Sequence, residues 1–183
     1  MTVTSARLVK MTVKALRLAR TDAGDKVYTP GDWSTRLTDF PLILVQAVHE
    51  DKQSSGRGPP SFTVVTTIRI TGRVSAMGQP SDQGGEHAEN MLWRLQRQIE
   101  RAVINADVFV DPDTNTPFIQ QFPSIRTTLG ATAEGAQQVG EIVIDLAIEY
   151  FQGPDDFYGT PEVEIAGFDL QDQRPALGLT STA

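Results

Sequence analysis

The sequence predicts an α+β domain, a mostly antiparallel or mixed sheet of about four to five strands with two amphipathic helices on one face. Three observations lead there. Residues 40–50, FPLILVQAVHE, carry only Gln46 as a polar side chain between Pro41 and Val48, in a run too short for an independent helix and apolar on both faces. Residues 62–75 and 140–151 alternate apolar and polar side chains with a period of two. Residues 5–20 and 86–106 repeat apolar side chains at helical spacing.

Taken in order, the segment 5–20 sets Leu8, Val9, Met11, Val13, Leu16 and Leu18 against Arg7, Lys10, Lys14 and Arg17. At about 100° per residue the four cations form one narrow stripe, so this is an amphipathic helix with a basic back, and Gly24 supplies its stop. The turn signal Pro30-Gly31-Asp32 leaves at most a short strand at 26–28, followed by a surface connection with Trp33 at a core edge. The run 40–50 is expected to be central in the sheet and covered. A loop at 51–61 containing SSGRGPP leads to the strand 62–75, its hairpin partner, with Val64, Ile68, Ile70 and Val74 on one side and Thr63, Thr67, Arg69, Thr71 and Arg73 on the other. After a second loop at 78–85, the helix 86–106 is striped by Met91, Leu92, Leu95, Ile99, Ala102 and Val103.

Residues 107–121 read as a loop, 124–129 as a short strand and 130–138 as small and polar. In 140–151, Ile142, Ile144, Leu146, Ile148 and Tyr150 face one way, with Glu141, Asp145 and Glu149 among those opposite. If this strand neighbours 62–75, Arg69 and Arg73 pair with Asp145 and Glu149. A turn at 153–161, a weaker edge strand at 163–170 and a flexible tail at 171–183 follow, so residues 1–170 form a single domain.

Composition excludes several classes. The 183 residues contain no Cys and only two His, His49 and His87, which removes disulfide scaffolds and thiolate metal sites and leaves little for a zinc site. A net charge of −7 argues against a chain built to grip nucleic acid. No apolar run approaches the roughly 20 residues that span a bilayer, and the N-terminus lacks a signal-peptide core, so a soluble protein with no membrane partner is expected.

No catalytic or cofactor signature stands out. Asp111, Asp113 and Asn115 have the spacing that opens an EF-hand loop, but Thr116 and Phe122 occupy the positions that need Gly and Glu, which favours an ordinary turn. The pair Asp155 and Asp156 admits a metal-dependent or acid/base enzyme, yet beside Gly153, Pro154 and Gly159 it reads first as a solvated turn. Charge carries more direction. Residues 1–26 hold six Lys/Arg against two Asp, a net of +4, which leaves −11 for the remainder. The basic stripe is either a solvated helix back or a surface that meets an acidic face of another copy or another protein; a nucleic-acid module is the third possibility.

The order of motifs resembles the tail-terminator family of long-tailed phages, the minor tail protein U type. The likeness lies in the leading helix closing in RTDAGDKVY, then LTDFPLILVQAVHED, the alternating TVVTTIRITGRVSA, the helix MLWRLQRQIERAV, and IVIDLAIEYFQ with its acidic turn, together spanning about 7–168. The resemblance implies a structural virion protein without enzymatic activity or cofactor, assembled in the host cytoplasm. It implies a ring, commonly of six copies, that caps the tail tube, ends tail growth and forms the joining surface for the head–tail connector; another tail-completion or neck protein is the nearest alternative. Arg7, Lys10, Lys14, Arg17, Arg57, Asp155 and Asp156 are the candidate interface residues, and no specific nucleic acid is expected as a partner.

Overall fold

The computed structural model describes residues 2–29, 40–77, 83–104, 106–134 and 137–158. The chain runs α1 (Ser5–Leu18), β1 (Val27–Tyr28), β2 (Leu42–Ser54), β3 (Phe62–Met77), α2 (Gln83–Ile104), β4 (Gln121–Glu134) and β5 (Gln137–Gln152), with 3₁₀ turns at Asp107–Phe109 and Pro154–Asp156. The five strands form one mixed sheet in the order β1-β2-β3-β5-β4, antiparallel except where β1 meets β2. The fold is therefore α+β.

The period-two stretches became the paired strands at the middle of the sheet. Val64, Thr66, Ile68, Ile70, Val74 and Ala76 of β3, and Ile142, Ile144, Leu146, Ile148 and Tyr150 of β5, are buried on one face. An unbroken register from Phe62↔Gln152 to Met77↔Gln137 keeps even residues opposite even residues. Leu92, Leu95, Ile99 and Val103 of α2 are buried in the same cluster, as are Leu8, Met11, Val13 and Leu16 of α1. Each large side chain so buried contributes about 1.5–3 kcal/mol.

Both helices touch the even-numbered side of β3. Leu95 and Ile99 crowd the Cα of Gly72, and Leu92 crowds that of Gly140. Ser5 of α1 hydrogen-bonds Thr66. Asp22, just past α1, pairs with Arg94 of α2 at 2.9 Å, and its backbone N–H donates to Gln98 at 2.8 Å.

Several expectations need correction. The run 40–50 is not central: β2 lies between β1 and β3, and only Leu42 to Val45 are buried, while every residue from Ala47 to Ser54 is exposed. The central positions go to β3 and β5, whose alternation gives each one apolar face under the helices. Leu42 and Leu44 are buried on the face away from the helices and Ile43 and Val45 on the near face, so the two-sided apolar reading holds for those four residues. The loop at 51–61 shrinks to 55–61 because β2 continues to Ser54. The segment 121–134 is a 14-residue strand, longer than 124–129, and residues 130–134 belong to it. Gly24 is not the residue that stops α1: the helix ends at Leu18, and Arg20 takes the left-handed conformation at φ 48°. Leu18, assigned to the apolar side, is 67% exposed. Residues 107–121 are not merely a loop, since Phe109 is buried and its ring meets Phe122 edge-on at 6.0 Å. Trp33, most of the loop 78–85, the strand 163–170 and the tail 171–183 lie outside the described residues.

Candidate functional site

Helix α1 begins on Thr4, whose hydroxyl accepts from the Arg7 backbone N–H at 3.2 Å. The predicted basic stripe then divides in two. Arg7 is half-buried: its guanidinium lies 4.2 Å from the centre of the Phe118 ring and donates to the Thr2 carbonyl. Arg17 donates to the Val27 carbonyl at 2.8 Å, tying α1 to β1. Those two cations serve the fold, while Lys10 and Lys14 are exposed, with no ion pair among the described residues.

The other sequence candidates are dispersed. Arg57 is exposed at the tip of the β2–β3 hairpin, where the Ser55 N–H closes the loop on the Ser61 carbonyl at 3.0 Å. Asp155 and Asp156 sit beyond β5 near Phe157, whose ring packs edge-on against Phe62 at 5.3 Å. Asp156 is occupied locally, its carboxylate accepting the Gly153 N–H at 2.9 Å, whereas Asp155 is exposed. Asp111 accepts the Asp113 N–H at 2.9 Å and, through its carbonyl, the Asn115 N–H at 2.8 Å, with Asn115 at φ 53°. That is an Asx turn. The seven candidates therefore do not converge on one pocket.

A feature without a sequence signal gathers around Glu50. The β2–β3 register slips between Ala47 and His49, leaving Val48 unpaired as a bulge. Before the bulge the odd residues of β2 oppose even residues of β3; after it, the even ones do, so Glu50 lies opposite Thr66 under the first turn of α1. There its carboxylate accepts from Ser5, Thr66 (3.5 Å) and Tyr150 (3.3 Å) and pairs with Lys52 at 3.2 Å. The Ser5 hydrogen bond holds the Glu50 carboxyl below the usual carboxylate range, helped by Lys52. Burial pushes the Tyr150 phenol up. The cluster pins the helix N-terminus to three strands and places a carboxylate where the helix dipole favours it.

On the sheet face away from the helices, Arg69 makes a two-pronged bond to Asp145 at 2.7 and 2.9 Å. Arg73 pairs with Glu141 at 2.6 Å, not with Glu149, because the antiparallel register sets Glu149 opposite Val65. The Arg69–Asp145 pair floors a groove of about 610 Å3 lined by Val48, His49, Thr67 and Arg126 among others.

The sheet ends in long free edges. β1 covers β2 only at Ile43 and Leu44, so β2 from Gln46 to Ser54 has no strand on its outer side among the described residues. β4 is the opposite edge among the described residues, where it is paired only to β5. The outer side of α2 carries a second unanticipated feature, a groove of about 440 Å3 lined by Asn90, Trp93, Arg94, Arg97, Gln98 and Arg101. The helical spacing of 94, 97 and 101 was readable, but which of these cations is already paired depends on Asp22, distant in the chain. No known family's sequence model matches the chain, and no curated protein matches it.

Proposed function

We propose that this chain is a ring-forming structural subunit of a phage-type tail, of the tail-terminator kind that its motif order resembles. Copies join head to tail, probing one surface with a different one, and the closed ring, of six copies in the resembled family, caps the tail tube and receives the head connector. The virion tail is its place of action. The observation that carries the self-association is the pair of unlike sheet edges, the outer half of β2 and the whole of β4, left without a further strand among the described residues. Long unprotected edges are normally blunted or paired, and joining one edge to the other is a heterologous contact of the sort that closes rings. Asp51 and Arg126 both lie on the side away from the helices, so in a joined sheet they share a face with opposite charge.

Lys10 and Lys14, exposed and without an ion pair among the described residues, are the remaining part of the basic stripe and supply a docking surface for an acidic neighbour. Mass photometry and negative-stain imaging test the proposal. Rings are expected from the purified protein, with Ile125→Lys on the β4 edge reducing them and Lys10→Glu with Lys14→Glu weakening ring formation or docking while the fold stays intact. A protein that remains monomeric at every concentration, alone and with tail tubes, would sink this reading.

A further inference from the structure

Trp93 is 44% exposed on α2, and its indole N–H reaches only Glu89 of the same helix at 3.3 Å. Arg94 is held by Asp22. Arg97 and Arg101 are exposed beside it, with no carboxylate in ion-pair distance among the described residues. An indole flanked by arginines in a groove suits an extended segment that alternates carboxylates with apolar side chains, since the ring takes the apolar groups and the guanidinium forks take the carboxylates. Apart from β5, whose Glu141, Asp145 and Glu149 lie on a strand paired within the sheet, the sequence holds such a segment at residues 162–172, EVEIAGFDLQD, with Glu162, Glu164, Asp169 and Asp172, Val163, Ile165, Phe168 and Leu170 between them and no Lys or Arg.

We infer that the Trp93 groove of α2 receives the acidic segment 162–172 of a neighbouring copy. The inference rests on the self-association proposed above. Reach favours a neighbour's segment over the chain's own. Leu95 and Ile99 pack at Gly72, opposite Ile142, whereas Phe157 packs on Phe62, opposite Gln152. The ten strand residues from 142 to 152 span roughly 33 Å. From Tyr158 to Glu162 or Glu164 the chain extends about 13–22 Å at most. Glu162 and Glu164 therefore fall short of the groove on their own chain, whereas Asp169 and Asp172, about 36–50 Å along an extended chain, do not, so seating all four carboxylates together requires a second copy.

Charge reversal with rescue tests this in the full-length protein, read by sedimentation velocity and by Trp93 emission in a Trp33→Phe background. Arg97→Glu with Arg101→Glu is expected to weaken association on the order of tenfold, and Glu164→Lys with Asp169→Lys to do the same. Mixing the two variants is expected to restore association, with a blue shift of Trp93 emission on assembly. If the wild type assembles but the reversals leave its affinity and its emission unchanged, or if the mixture is not restored, the groove assignment is overturned and the ring stands. If the wild type never associates, both fall.

Discussion

Replacing Gly72 by Ala tests how closely α2 is laid on the sheet. A Cβ at that position would lie 2.8 Å from Leu95 Cδ2 and 2.9 Å from Ile142 Cγ2; at Gly140 it would lie 2.9 Å from Leu92 Cδ1 and 3.2 Å from Val74 Cγ2. Both glycines face the helix on adjacent strands, so no Cβ fits unless α2 lifts or two branched side chains leave their rotamers. Such overpacking costs about 1–3 kcal/mol. Removing a glycine's freedom from the unfolded chain offsets about 0.4–1 kcal/mol of it. The expected net loss lies between about 0 and 2.6 kcal/mol, centred near 1.3 kcal/mol per site, or roughly 3–5 °C in Tm at that centre for a domain of this size. Gly130→Ala is the control, because its Cβ would meet nothing within 4 Å; it should be neutral or slightly stabilising. Urea and thermal unfolding by circular dichroism at one fixed protein concentration give the comparison, since self-association would make Tm concentration-dependent. Gly72→Ala and Gly140→Ala unfolding together with Gly130→Ala would refute the close seating of α2.

Three further outcomes follow from the polar contacts. Glu50→Gln should lower stability at neutral pH by about 1 kcal/mol, given the partial exposure of the carboxylate. Because the folded-state pKa of Glu50 is lowered, its contribution is present above the unfolded value and lost as pH falls through the folded one, so Glu50→Gln should also flatten the acid limb of a stability–pH profile. Arg69→Ala, which frees an Asp145 carboxyl now held low by that guanidinium, should cost about 0.2–1 kcal/mol in urea titrations, less in high salt, with the Asp145 carboxyl rising when followed by NMR. Phe118→Leu keeps an apolar side chain but removes the ring from under Arg7, and should cost about 0.5–1 kcal/mol in thermal unfolding.

Periodicity made much of this fold readable. The even-numbered stripes of β3 and β5 and the 92/95/99/103 stripe of α2 bury the residues their spacing marks. β4 is longer than its local pattern suggests: Pro123 lies in the irregularity between Gln121 and Ser124 of an edge strand, where its missing N–H costs no ladder bond, and the small, polar residues 130–134 carry no apolar alternation to mark them as strand. The partner of Arg73 needed the register, which fixes Glu141 once Arg69 meets Asp145 and the strands are antiparallel. The fate of the basic stripe needed tertiary structure: spacing groups Arg7, Lys10, Lys14 and Arg17, but only the positions of Phe118 and Val27 separate bound cations from free ones. The sheet edges likewise leave little mark on local pattern, since an edge is defined by which strands lie beside it, and among the described residues none lies outside β4.

The single unpaired residue in β2 acts on that strand as a frameshift acts on a message. Upstream of Val48 the strand speaks to the core in odd numbers, with Ile43 and Val45; downstream it speaks to α1 in even numbers, through Glu50. Drawing Val48 into the ladder would leave the hydrophobic half untouched but set His49 opposite Thr66 and Glu50 opposite Val65, on the side of the sheet away from the helices, whereas deleting Val48 would keep Glu50 opposite Thr66. One residue of phase thus couples the helix that bears Lys10 and Lys14 to the outer edge of β2, so the two surfaces proposed for assembly are set by a common adjustment rather than independently.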